Sequence, residues 1–402
     1  MNDATSRELA AWIIEAGLTG ADEPDLLRRF CERAVAGGIP IVRAIVIVDT
    51  LHPIYESRLF RWERDPSEAA ALVEFERTVD TEARLGQWRR SPFYHLLETG
   101  GTELRRNRAR GDPADFAMIQ DLRDLGHTDY LALVNRFAAG GVIGEMDCIL
   151  SSWGTDAPAG FDDGQIEQLR RLVPGLALAI KSTSLARIAA TLVETYLGRD
   201  AGRRVLAGKI ARGVADRINT VLWFSDLRGY TRITDTALPE QIIPLLNDYA
   251  DAVITAIHEA GGDVLKLIGD GILAIFEASD PGQACRCALE AAKIAAARIA
   301  AVNVRRLAMD LPVTRAYLAL HVGEVLYGNI GSAERLDFTV VGPAVNEVAR
   351  IATMCRSVER DVLLSSAFAA AAHEADRKRL VSVGRFALRG VGRAQDLYTL
   401  EP

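Results

Sequence analysis

Two aspartates sit where acids do chemistry. Asp226 closes a β-rich run, TVLWFSD (220–226), and Leu227-Arg228-Gly229-Tyr230-Thr231 then lead into an apolar-periodic segment. That order reads as strand, tight turn, helix. Asp270 lies between two glycines in DVLKLIGDGILAIF (263–276). Asp-Gly between two apolar runs predicts a β-hairpin with Asp270 at its tip. The amides of Gly229, Tyr230 and Thr231, at a turn and helix start, face the space beyond the strand and suit a phosphate. A carboxylate beside a phosphate repels it unless a cation lies between them. The pair Asp226 and Asp270 therefore implies Mg²⁺ or Mn²⁺, in a two-metal site. Each aspartate alone also has a plain structural reading, as a strand end or a turn residue.

A third segment is RLDFTVVGPAVNEVARI (335–351). A strand should stop at Gly342-Pro343, because proline suits the first turn of a helix. Asn346 and Arg350 then lie four apart on one helical face. Arginine presents a positive fork to phosphate oxygens, and asparagine can position a ribose oxygen. On its own this stretch is equally a surface Asn–Arg pair.

FSDLRGYT, KLIGDG and TVVGPAVNEVAR, in this order, resemble the class III nucleotide cyclases. The resemblance covers essentially all of 218–402 and includes HVGEVLYGNIG (321–331). It implies an α+β fold with a ferredoxin-like βαββαβ core, acting as a homodimer whose active sites are shared across the interface. It implies that Asp226, Asp270 and the carbonyl of Leu227 hold the metals. Asn346 would orient the ribose, Arg350 would stabilise charge at the α-phosphate, and Arg389, in FALRGVGR, would meet the terminal phosphates. Lys266 matches the lysine that hydrogen-bonds adenine. Thr339, seven residues before Asn346, matches a second base-reading position, where many members have aspartate and a bacterial subclass of adenylate cyclases has threonine. Asp337 stands two residues too early for that role. The bland alternative for Lys266 is a local ion pair with Asp263 or Asp270. Lysine with threonine disfavours guanine, so the implied substrate is ATP and the implied products are cyclic AMP and pyrophosphate. His321 is read as structural. Three rivals remain. One is a guanylate cyclase. Another is a diguanylate cyclase, whose Gly-Gly-Asp turn has a counterpart in EAGGDVLKL. The last is a degenerate cyclase that only binds nucleotide.

The rest of the chain must position these groups. Its 402 residues allow two or three domains. A formal net charge of −7 supplies no global basic field for nucleic acid. The five cysteines have no zinc-like spacing and read as packing thiols of a reducing compartment. The start, MNDATSRELAAW, does not read as a signal peptide, and no apolar run reaches the ~18 residues of a membrane span. The expected location is cytoplasmic.

Residues 1–182 open with two helical patterns, RELAAWIIEAG and DLLRRFCERAVAGG, followed by the strand RAIVIVDTL (43–51). YLALVNRF and GEMDCILSSW read as paired strands joined by AAGGVI. In the segment that follows, Ile166, Leu169, Val173, Leu176 and Ile180 make an amphipathic helix face. This order resembles a GAF domain, which implies an antiparallel sheet with helices and a regulatory small-molecule ligand or a dimer contact. Trp88, His95, His127 and Cys148 are candidates to line its pocket. Residues 183–217 read as a helical signalling linker. Its stripe Leu185, Ile188, Leu192 suits either a parallel two-chain connector or a plain packed helix.

Overall fold

The computed structural model describes residues 2–65, 71–77, 82–137, 143–144, 146–277 and 279–400. The chain divides into two compact units, Met1–Leu192 and Val193–Pro402.

The first unit comprises α1 (Asp3–Thr19), α2 (Glu23–Ala36), β1 (Arg43–Asp49), β2 (Tyr55–Glu63), β3 (Leu72–Glu76), α3 (Glu82–Arg89), α4 (Pro92–Thr99), β4 (Glu103–Asn107), α5 (Ala117–Asp124), β5 (Asp129–Arg136), β6 (Cys148–Thr155) and most of α6 (Asp163–Leu197). The strands form an antiparallel sheet in the order β3-β2-β1-β6-β5-β4. Side-chain oxygens of Asn2 and Asp22 accept from the amides of Thr5 and Asp25 and start the first two helices. The paired strands β5 and β6 are buried on both faces. Leu131, Leu133, Ile149 and Trp153 join the core under α1, α2 and α6. Tyr130, Ala132, Val134, Cys148 and Leu150 join a second core with Phe93, Leu104 and Leu122. Most of the AAGGVI connection lies outside the described residues.

Helix α6 departs from expectation twice. Ile188 is buried in the first unit's own core, and Leu185 and Leu192 pack against the same cluster. The apolar stripe that suited a two-chain connector is therefore already covered within the chain. The helix is also long and apolar enough to cross a membrane, although no such run was expected from the sequence. Much of that composition has a local cause: Ile166, Leu169, Leu172, Val173, Leu176 and Ile180 are buried against the sheet and α1.

The helical reading of 183–217 also stops early. Gly198 (φ 89°) ends α6, and α7 (Arg199–Leu206) follows. Gly208 (φ 90°) and Gly213 (φ 79°) then turn the chain. Such backbone is costly for any residue with a Cβ. From Ala215 the chain is already strand, because 215–219 pair with 324–328.

The second unit continues with β7 (Ala215–Leu227), α8 (Tyr230–Thr236), α9 (Pro239–Glu259), β8 (Asp263–Ile268), β9 (Gly271–Phe276), α10 (Pro281–Ala308), β10 (Ala316–Gly331), β11 (Leu336–Val341), α11 (Pro343–Ser357), β12 (Val362–Ser365), α12 (Ser366–Ala371), α13 (Glu374–Arg377), β13 (Leu380–Phe386) and β14 (Gln395–Leu400). The sheet order is β13-β14-β12-β10-β7-β9-β8, and β11 pairs with the far end of β10. β12 runs parallel to β10; the other pairs are antiparallel. Successive residues of β7 enter opposite cores. Val221 and Trp223 pack with α9 and α10, while Leu222 packs with α11. The central strand is thus held on both faces up to its last residues, where the chemistry lies.

Candidate active site

Asp226 is the penultimate residue of β7, and Leu227 pairs with Ala316 of β10. Ser225 pairs with Ile272 on the other side, and Ile268 pairs with Gly271 to close the β8–β9 hairpin. The two-residue turn is Gly269 (φ 63°) and Asp270. Sheet register alone therefore brings Asp270 beside Asp226. The Leu227 amide donates to both carboxylates, at 3.1 Å to Asp226 Oδ1 and 3.1 Å to Asp270 Oδ2.

Asp226 is half-buried, and its only strong electrostatic neighbour is another acid. Burial, together with the hydrogen-bonded Asp270 carboxyl, pushes its pKa up to about 7. Two carboxylates this close share a proton when no cation separates them. A divalent cation would relieve the same conflict, so the donor set fits the metals implied by the sequence. Among the described residues no group of three His, Cys, Asp or Glu converges on a metal position. Two carboxylates suit Mg²⁺ nevertheless, because it keeps waters and takes further oxygens from phosphates. A pocket of about 180 Å³ opens at the pair, walled by Leu246, Asn247 and Ala250 of α9 and by Gly269 to Ile272. That volume falls below the roughly 300–1,000 Å³ of complete small-molecule sites.

The turn after β7 begins α8 at Tyr230, with Gly229 at φ 73°. Only glycine adopts this backbone readily, and a Cβ there would meet open space. Thr231 is exposed, whereas the Tyr230 ring packs partly on the core shared by β7 and α9.

The other predicted groups lie apart from the aspartates. Asn346 and Arg350 are both exposed on one face of α11 and have no hydrogen-bond or ion-pair partner among the described residues. Pro343 occupies the first turn and Gly342 precedes it, as the sequence predicted. Arg389 is exposed in the β13–β14 connection, without a partner among the described residues.

Lys266 pairs with neither Asp263 nor Asp270. It makes an ion pair with Asp337, 71 residues away. Side chains alternate along β11: Phe338 and Val340 enter the core, so Asp337 and Thr339 share the other face. Lys266, Asp337 and Thr339 are thereby grouped. Spacing from Asn346 had set Asp337 aside; the two-residue period linking it to Thr339 was the available signal.

His321 is buried on β10, as expected of a structural residue. The four N-terminal candidates do not converge on one pocket. Cys148 and Trp88 belong to one core cluster, and burial pushes the Cys148 thiol up to about 12. His95 is exposed and stacks edge-on to Phe116. His127 lines a different, charged groove with Arg43 and Asp156.

Comparison with known proteins separates the two units. Residues 215–402, most of the second unit, match the family described as adenylate and guanylate cyclase catalytic domain. An adenylate cyclase of Anabaena cylindrica is 33% identical over 157 residues, which is 38% of this chain and 30% of that protein. Adenylate cyclase 1 of Rhizobium meliloti (strain 1021) is 27% identical over 219 residues, 53% of this chain and 32% of that protein. The chain thus spans about a third of the length of these relatives. In structure, the adenylyl cyclase CyaB from P. aeruginosa covers 47% of this chain and 96% of its own, with 20% identity and a TM-score of 0.43.

Proposed function

We propose that the chain is an adenylate cyclase, converting ATP to 3′,5′-cyclic AMP and pyrophosphate at a site shared by two copies. The observation that carries this is the Asp226–Asp270 pair. Two acids are forced together at a sheet end, beside the Gly229 turn that starts α8, inside a segment that matches the cyclase family. The relatives named adenylate cyclase favour ATP, as does the placing of Thr339 on the same face of β11 as Asp337, the ion-pair partner of Lys266.

In this reading the ribose 3′-oxygen bonds to the α-phosphorus as the bridging oxygen to the β-phosphorus leaves with pyrophosphate. The hydroxyl proton goes to solvent. Divalent cations held by Asp226, Asp270 and the Leu227 carbonyl would neutralise phosphate charge and acidify the 3′-hydroxyl. The chain's own residues do the positioning. Amides of Gly229 to Thr231 receive phosphate oxygens. Asn346 holds the ribose, Arg350 meets charge developing at the α-phosphate, and Arg389 meets the terminal phosphates. The Thr339 hydroxyl accepts from the adenine amino group, and Lys266 donates to the ring. Guanine carries an oxygen and a protonated N1 at these places, so its fit leaves polar groups unpaired.

Sharing between two copies explains the small pocket at the aspartates and the unpartnered Asn346 and Arg350. The first unit acts as a GAF-like regulatory domain with a small-molecule ligand; its helix–sheet–helix order supports this. The order β10-β7-β9-β8 supports a ferredoxin-like core.

The test is turnover of ATP and GTP, alone and in competition, with Mg²⁺ and with Mn²⁺. Cyclic AMP and pyrophosphate in equal amounts are expected. Preferential cyclic GMP overturns the choice of base, and no cyclic product from either nucleotide overturns the cyclase reading.

A further inference from the structure

Behind the exposed face of α11 lies a polar cluster, buried at His321 and Ser365 and half-buried at Glu347 and Gln395, that metal and nucleotide binding leave unused. Glu347 directly follows Asn346 and precedes Arg350 by one turn. Its Oε2 accepts from Gln395 Nε2 of β14 at 2.7 Å and lies 3.6 Å from His321 Nε2 of β10. His321 Nδ1 is 2.9 Å from the hydroxyl of Ser365, which also accepts from the Phe368 amide and caps α12. A carboxylate at Nε2 favours the proton there, so the Ser365 hydroxyl donates to Nδ1. Glu347 Oε2, both ring nitrogens of His321 and the Ser365 hydroxyl then each face a complementary neighbour. Gly323 completes the fit. A Cβ at that position would come 2.5 Å from Ala344 Cβ and 3.1 Å from His321 Nε2. Its absence lets the first turn of α11 lie against β10 and leaves room for the imidazole.

We infer that Glu347 is a positioning residue. Clamped between His321 and Gln395, it fixes the rotation of α11 about its own axis, so that Asn346 and Arg350 are presented at fixed places. Apolar packing by Val348 and Ile351 holds the helix against the sheet, but such contacts are non-directional and tolerate small rotations. A charge-assisted polar clamp does not. The inference rests on the cyclase reading and adds a residue to it.

The experiment is steady-state cyclisation by the full chain carrying Glu347→Ala, Glu347→Gln or Gln395→Met, each also in an Arg350→Ala background. Glu347→Ala should lower kcat about 10–100-fold with little change in KM, the usual cost of misplacing a reacting group by a fraction of an ångström. Glu347→Gln keeps an acceptor for both donors and should restore most of the rate. In the Arg350→Ala background, Glu347→Ala should cost less, because one of the two residues it positions is gone. Gln395→Met removes one donor without emptying the site, so it serves if Glu347→Ala folds poorly; its loss should be smaller and likewise confined to kcat. A folded Glu347→Ala enzyme with wild-type kcat overturns the inference. So does an equal loss with and without Arg350, which would mark a general structural role. Inactive wild-type enzyme overturns the cyclase reading itself, and the inference with it.

Discussion

Each unit buries an acid, and the two acids are treated in opposite ways. In the first unit Glu23 is fully buried. It accepts from Arg187 Nη2 at 2.6 Å, Ser184 Oγ at 3.1 Å and Arg58 Nη1 at 3.4 Å. Burial pushes its pKa up, but Arg187 and Arg58 outweigh burial and hold it below the usual carboxylate value. In the second unit Asp226 is given another acid, Asp270, and no cation. The arginines repeat the contrast. Arg105 of the first unit is locked onto Asp129 at 2.6 Å, whereas Arg350 and Arg389 of the second face solvent. At Glu23 and Arg105 the first unit satisfies its charges internally. The second keeps a cluster of negative charge and scattered positive charge apart, an arrangement that the proposed cation, polyphosphate and second copy would complete.

The largest effect should come from the unsatisfied pair. Asp226→Ala or Asp270→Ala should lower cyclisation by ~10³-fold or more while circular dichroism stays native. Near-normal turnover in either folded variant would remove the two aspartates from the chemistry. The opposite acid should matter to stability. Glu23→Ala removes the partner of Arg187 and one of the two acids at Arg58, which keeps Glu74 at 3.0 Å, and should destabilise the first unit by about 1–3 kcal/mol. Urea unfolding followed by hydrogen exchange within residues 1–192 reads this; an unshifted midpoint would mean that the cluster is incidental.

Base choice is a smaller effect. Lys266→Glu with Thr339→Cys should change the ATP/GTP ratio of kcat/KM by about tenfold or more. Asp337→Ala frees Lys266 and should move the same ratio less. An unchanged ratio in both places the base pocket elsewhere.

The smallest effect reverses the sign seen at Glu23. The folded pKa of Asp226 is raised to about 7 from an ordinary 3.8. Its contribution to stability is therefore greatest at acid pH and is lost as pH rises through about 7. Asp226→Asn should stabilise metal-free protein at pH 8 by on the order of 1 kcal/mol given the partial exposure, read as a raised thermal midpoint. Below about pH 4, where the carboxyl is protonated in both the folded and the unfolded chain, the variant and wild type should melt together. A destabilised Asp226→Asn protein at pH 8 would contradict the repulsion.

The comparison also shows what could be read from sequence. Asp226 and Asp270 were legible because local rules place them: a strand end, and a Gly-Asp-Gly hairpin tip. Asn346 and Arg350 were legible because helix spacing is local. The pairing of Lys266 with Asp337 was not, since it depends on β11 folding back to β8 across 71 residues. The contacts of Glu347 were not legible either, since His321 and Gln395 reach it from strands distant in sequence. The same holds for Arg58 of β2, whose guanidinium reaches the buried Glu23 across 35 residues. The stripe Leu185, Ile188, Leu192 shows the same limit in apolar form. Periodicity says which residues share a face; the tertiary fold decides what covers it.

The central claim, that the second unit's groups are unpaired because a second copy completes the site, is tested by complementation. Asp226→Ala and Arg350→Ala chains, each nearly inactive alone, are co-expressed with distinct tags and the heterodimers purified. Two-fold symmetry puts both lesions in one site and leaves the other intact, so each mixed dimer should recover about half of wild-type activity. Tagged heterodimers that form yet stay inactive would contradict the shared site.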